Sequence, residues 1–121
     1  MVTHKKLFEV LLLYQQKIHT MVKNIEVSEF KELMTQENAV IIDVRSLSEK
    51  AEGDIPGCVT IDIYGPNFAN EIEKLDKDKT YLMFCRSGGR SGSACGFMDS
   101  KGFTNVYNLN GGIMAWNRGT M

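Results

Sequence analysis

Residues 81–98 read YLMFCRSGGRSGSACGFM, and the fold can be worked out from this stretch. Tyr81 to Phe84 form a short apolar run of strand character, and between Ser91 and Ser100 the residues Ala94, Cys95, Phe97 and Met98 fall at mostly helical spacing. Cys85 therefore stands at a strand-to-helix turn. Gly88 and Gly89 permit backbone angles that a side chain resists, so the amide N–H groups from Arg86 to Ser91 are expected to converge on one point. A helix N-terminus aimed at the same point adds positive partial charge.

A thiol placed there is expected to ionise early. Several N–H donors, a helix N-terminus and the guanidiniums of Arg86 and Arg90 all favour the thiolate over the thiol. No separate base is then required, and the sequence offers none nearby: His4 and His19 both lie in the N-terminal segment, so a Cys-His dyad is poorly supported. The same cradle would bind an oxyanion and hold a negatively charged sulfur adduct. The plain alternative, a buried apolar cysteine, fits badly with paired glycines and two arginines.

Outward from this turn, strand and helix patterns alternate. Ser28 is placed to cap a helix carrying Phe30, Leu33 and Met34, and Ala39 to Val44 is an apolar strand that runs out at Asp43, Val44 and Arg45. Ser46 with Glu49 has the spacing of a capping box opening a short helix before Gly53. Val59 to Ile63 reads as a strand, and Asn67 as the cap of a helix with Phe68, Ile72 and Leu75 inward. Asp76 to Lys79 is a polar turn. After the helix that follows Cys85, Gly102 is a stop, Val106 to Leu109 a last strand, and Gly111 and Gly112 open a final helix with Trp116. This alternation predicts an α/β fold, a parallel sheet with helices on both faces, and a ligand site beyond the carboxyl ends of the strands, where Cys85 falls.

The 121 residues suffice for one core, and 14 Lys plus Arg against 15 Asp plus Glu give no sign of nucleic-acid or membrane-surface binding. Cys58, Cys85 and Cys95 are odd in number and include no CxxC pair, which argues against a disulfide scaffold or a zinc site and fits a reducing cytoplasm. Cys95 reads as a core position beside Ala94 and Met98 rather than a resolving thiol. Residues 1–22 stand apart from 23–119 as an amphipathic extension, with Leu7, Leu11, Tyr14 and Ile18 at helical spacing. Glu9 interrupts its apolar run and no cleavage site follows, so it is a poor signal peptide, and it is too short and polar to cross a membrane. Packing on the domain, pairing with a second copy, or an upstream extension to a start at Met21 all remain open for it.

AVIIDVR at 39–45, GDIPG at 53–57, FCRSGGRS at 84–91 and NLNGGIMAW at 108–116 appear in an order that resembles the single-domain rhodaneses, of the rhodanese-like sulfurtransferase family. The resemblance spans about Ile25 to Arg118. It implies a rhodanese-like sheet of about five strands. It also implies that Cys85 takes the outer sulfur of a donor such as thiosulfate, carries it as a persulfide and passes it to a thiophilic acceptor. Cyanide would serve in an assay and thiols or a protein in the cell. No metal or organic cofactor is implied. The substrate-binding residues are expected to be Arg86, Ser87, Gly88, Gly89, Arg90 and Ser91, with Arg86 facing the substrate and Arg90 tying the loop to the scaffold. The family usually has His where this chain has Asp54, which puts any role of that side chain in doubt. Cys58, where the family commonly has alanine, reads as a small apolar core site.

Loop length separates the chemistries this fold resembles. Cys85 to Arg90 is Cys-x4-Arg, and Ser91 stands where Cys-dependent phosphatases and arsenate reductases have arginine. The resemblance implies that this shorter loop suits a sulfane sulfur better than their tetrahedral oxyanions. A persulfide carrier without turnover, or an interaction module, needs the same cradle and stays open, as does the oligomeric state. Asp43 and Arg45 are read as structural, positioning loops or pairing with each other. Trp116, Gly111 and Gly112 are read as packing and turn elements. Tyr64 and Phe68 are candidates to line the entrance.

Overall fold

The computed structural model describes residues 4–10 and 22–119. Its centre is β4 (Thr80–Phe84), in which every residue is buried. A strand buried on both faces belongs in the middle of a parallel sheet covered by helices. β4 pairs in parallel with β2 (Ala39–Asp43) on one side and β5 (Val106–Leu109) on the other. β1 (Lys23–Ile25) lies outside β5 and β3 (Val59–Thr60) outside β2, giving five parallel strands in the order β1-β5-β4-β2-β3. The expected parallel α/β sheet of about five strands is what forms.

Each face of the sheet has its own core. α1 (Val27–Leu33) and α4 (Gly112–Gly119) cover one, where Phe30 and Trp116 meet edge to face over Leu82, Phe84 and Leu109. α2 (Phe68–Glu73) and α3 (Gly89–Ser100) cover the other, where Ile72, Ala94, Cys95 and Met98 pack on Ile42, Tyr81 and Met83. Full burial of a side chain such as Phe84 or Ile72 stabilises by about 1.5–3 kcal/mol. A 3₁₀ segment, η1 (Leu47–Glu52), follows β2 and lies at the same end of the sheet as the Cys85 turn.

Three local expectations are corrected. α1 begins at Val27, so Ser28 is inside it and Glu26 holds the cap position without a side-chain cap bond. The Glu26 carboxylate is engaged elsewhere, accepting from Asn110 Nδ2 at 2.8 Å. β3 stops at Thr60 rather than Ile63. Ile61 and Ile63 still donate to the Asp43 and Val44 carbonyls, but Asp62 turns the chain by accepting from the Tyr64 amide at 2.9 Å. Asn67 does precede α2, with no side-chain cap bond.

Residues 4–10 are helical and exposed, Leu7, Phe8 and Val10 among them. The rest of the expected amphipathic helix, with Leu11, Tyr14 and Ile18, and also His19 and Met21, lies outside the described residues. Among the described residues, no helix is long and apolar enough to cross a membrane.

Candidate active site

Cys85 follows the last residue of β4, and the chain turns directly into α3. Its sulfur accepts hydrogen bonds from the Gly88 amide at 3.1 Å and the Ser91 amide at 3.4 Å, and the Ser91 hydroxyl oxygen lies 3.3 Å away. Burial pushes the Cys85 thiol up, but the contacts from Ser91, Gly88 and Ser87 outweigh it and leave the thiol below its ordinary value. Six amides were expected to converge; those of Gly88 and Ser91 reach the sulfur within hydrogen-bond distance, and that of Ser87 adds to the downward shift. Gly89 is the first residue of α3 and is exposed.

The turn is held from beneath by α4. Ile113 N–H donates to the Cys85 carbonyl at 2.8 Å and Met114 N–H to the Arg86 carbonyl at 3.2 Å. Orphan amides at a helix N-terminus thus satisfy the carbonyls of the loop, leaving its own amides turned toward the sulfur. The close approach requires Gly112, at φ 57°, because a Cβ there would fall 2.4 Å from both carbonyl oxygens. The sequence marks Gly111 and Gly112 as a turn; it does not reveal that the absent side chain makes room for the Cys85 loop. Gly88, at φ 108°, gives the loop the left-handed step that points its amide at the sulfur.

Both loop arginines are matched by glutamates from η1, which the sequence did not single out as partners. Arg90 grips Glu49 with two bonds of 2.8 and 2.7 Å, and this pairing, in the first place, holds the Glu49 carboxyl down at about 2. Glu49 also accepts from the Ser46 amide at 3.5 Å, completing the expected capping box, and from the Ser46 hydroxyl at 3.1 Å, so the box is tied to the Cys85 loop. Arg86 is 54% exposed on its side chain and meets Glu52 at 3.0 Å. Hydrogen bonds, rather than two unpaired guanidiniums, are therefore the leading influence holding Cys85 down.

A second polar cluster lies under η1. Arg45, fully buried, makes two side-chain bonds of 2.9 Å to Asp43 and donates to the Glu49 and Gly53 carbonyls, bracing the middle and the exit of the 3₁₀ segment. Asp54 accepts from Lys50 at 3.0 Å and from the Cys58 thiol at 3.1 Å. Cys58 packs, partly buried, at the margin of the Phe30–Trp116 core with its thiol turned to Asp54, and burial together with the Asp54 bond pushes that thiol up. Asp43, Asp54 and Cys58 bring their ligand atoms within 4.8 Å of one another, but Arg45 and Lys50 already meet both carboxylates, an unsuitable setting for a cation. All three cysteines are free. Tyr64 is 79% exposed, and Phe68 is partly buried against the α3 core.

Comparison with known proteins agrees with this arrangement. The family model described as Rhodanese-like domain matches residues 26–118. A candidate sulfurtransferase of Bacillus subtilis, YtwF, is 43% identical over 96 residues, covering 78% of this chain and 90% of its own. The thiosulfate sulfurtransferase GlpE of Pseudomonas fluorescens is 33% identical over 96 residues, 74% of this chain and 86% of its own. A crystal structure of a rhodanese-like domain protein from Staphylococcus aureus superposes with a TM-score of 0.67 at 28% identity, over 78% of this chain and 91% of that one.

Proposed function

This chain belongs to the rhodanese-like domain family, and from that premise we propose that it is a sulfurtransferase with Cys85 as the sulfur-carrying nucleophile. The observation that carries the reading is the Cys85 sulfur at the focus of the Gly88 and Ser91 amides and the Ser91 hydroxyl. Those donors favour a thiolate before reaction and a persulfide anion after it. Names of relatives such as the P. fluorescens thiosulfate sulfurtransferase support a sulfur-containing anion as donor.

With thiosulfate, the Cys85 thiolate attacks the outer sulfur and a new S–S bond forms. The S–S bond within thiosulfate breaks, and sulfite leaves with the electron pair. Charge balances, because one thiolate and one dianion become one persulfide anion and one dianion. A thiolate acceptor then attacks the terminal sulfur, or cyanide takes it as thiocyanate, and the Cys85 thiolate is restored. Arg86 is the cation for the incoming anion. Its pair with Glu52 is exposed on both sides, and such pairs contribute only about 0.2–1 kcal/mol, so an anionic donor displaces the glutamate at little cost. Arg90 is bound through both terminal guanidinium nitrogens to Glu49 and serves as the loop's anchor.

Intact-protein mass spectrometry after incubation with thiosulfate tests this. The expected result is a gain of one sulfur atom that is lost on adding cyanide or a thiol, and that is absent from Cys85→Ser. A sulfur adduct retained in Cys85→Ser would sink the assignment.

A further inference from the structure

Asn108 bonds to both residues, Gly88 and Ser91, whose groups face the Cys85 sulfur. It is 3% exposed on β5, beside its register partner Asn24 on β1. Its Nδ2 donates to the Gly88 carbonyl at 3.0 Å and to Asn24 Oδ1 at 2.8 Å. A backbone carbonyl only accepts, so the Gly88 contact fixes which end of the carboxamide is nitrogen. Oδ1 must then face the Ser91 hydroxyl oxygen, 2.5 Å away, and the only proton available for that contact is the one on Ser91.

Ser91 therefore has one proton and two acceptors, Asn108 Oδ1 at 2.5 Å and the Cys85 sulfur at 3.3 Å. While the proton lies toward Asn108, Ser91 presents lone pairs to the sulfur, which suits a thiol donating its own S–H. Toward a thiolate or persulfide anion, the hydroxyl must turn and give up the Asn108 bond. Building on the reading of Cys85 as the sulfur carrier, we propose that Asn108 is a positioning residue. It holds the Ser91 proton away from the thiol and releases it when the sulfur becomes an anion.

The other titratable groups around the sulfur do not mimic this. Arg90 is held by Glu49, Arg86 by Glu52, and Cys95 on α3 is a buried thiol. Neither the Asn108 carboxamide nor the Ser91 hydroxyl carries a charge, so replacing either one removes no charge from beside the sulfur.

The test is the pH dependence of iodoacetamide alkylation at Cys85 in the full chain, read on the Cys85 peptide. Asn108→Ala frees the Ser91 proton for the sulfur and is expected to lower the midpoint by about half to one pH unit. In a Ser91→Ala background the same replacement is expected to leave the midpoint unmoved. A raised midpoint in Asn108→Ala, or an equal shift in both backgrounds, overturns the proposal in favour of a purely structural asparagine. Should Asn108→Ala not fold, the S–H stretch of Cys85 in Ser91→Ala decides. Loss of its acceptor is expected to move the band to higher frequency, and an unmoved band overturns the proposal. Alkylation needs no sulfur donor, so these readouts stand or fall separately from persulfide formation.

Discussion

Cys85 and Cys95 are equally inaccessible, each 1% exposed, yet their thiols move in opposite directions. Burial raises both. At Cys95, in the body of α3, burial is the leading cause and pushes the thiol up to about 12. At Cys85, at the helix entrance, the same penalty is overturned by donors from Gly88 and Ser91. The backbone explains the contrast: amides in the body of a helix are spent on carbonyls four residues back, whereas those of the first turn are free to face a sulfur. Position along one helix thus separates a cysteine held as a thiol from one whose thiolate is favoured.

The largest expected consequence is kinetic. Near neutral pH, native protein should alkylate at Cys85 more than about a thousandfold faster than at Cys95, because the thiolate is the nucleophile and little of Cys95 is ionised. Peptide mapping after a short iodoacetamide pulse measures the ratio, and denaturant should bring it close to one. Parity in the native state would break the comparison at its root.

Next in size is the support beneath the loop. Gly112→Ala places a Cβ 2.4 Å from the Cys85 and Arg86 carbonyl oxygens at positive φ, so the turn and α4 must separate. A loss of about 2–4 kcal/mol in urea unfolding is expected, together with slower Cys85 alkylation. Gly96→Ala, in the body of α3, is the control. Its Cβ meets nothing within 4 Å, and the gain in helix propensity should stabilise by about 0.5–1 kcal/mol. Two similar outcomes would mean that the close approach at Gly112 is unimportant.

Much of this organisation was legible in the chain because it is local. The apolar run before Cys85, the paired glycines after it and the alternation of strand and helix patterns each lie within one short segment. What escaped was set by tertiary placement. Glu49 was visible as a capping residue for Ser46, but its grip on Arg90 spans 41 positions. Asn108 was not singled out at all, being read only as part of the Val106–Leu109 strand and the NLNGGIMAW run, and nothing in VYNL tells that β5 runs beside the Cys85 turn. Cys58 does pack at a core margin, but its position next to GDIPG says nothing of Lys50 and Asp54 reaching its thiol.

The Glu49–Arg90 clamp gives a smaller effect than the Gly112 support and shows how the Cys85 end of α3 is tied down. Glu49 is lowered from 4.5 to about 2 mainly by its bonds from Arg90. A carboxyl depressed by folding contributes stability that is fully present above its ordinary value and is lost as pH falls through the folded one. The contribution should therefore fade between about 4.5 and about 2. Both side chains are about a quarter exposed, so solvent screening reduces its size, and Glu49→Gln should cost about 1–2 kcal/mol at neutral pH. The variant should lose less stability than the parent over that acid window, so the two urea midpoints should draw together as pH falls. A constant gap would assign the loss to packing or to the Ser46 contact instead. Cys95, which has no part in the clamp, should remain as slow to alkylate in the variant as in the parent.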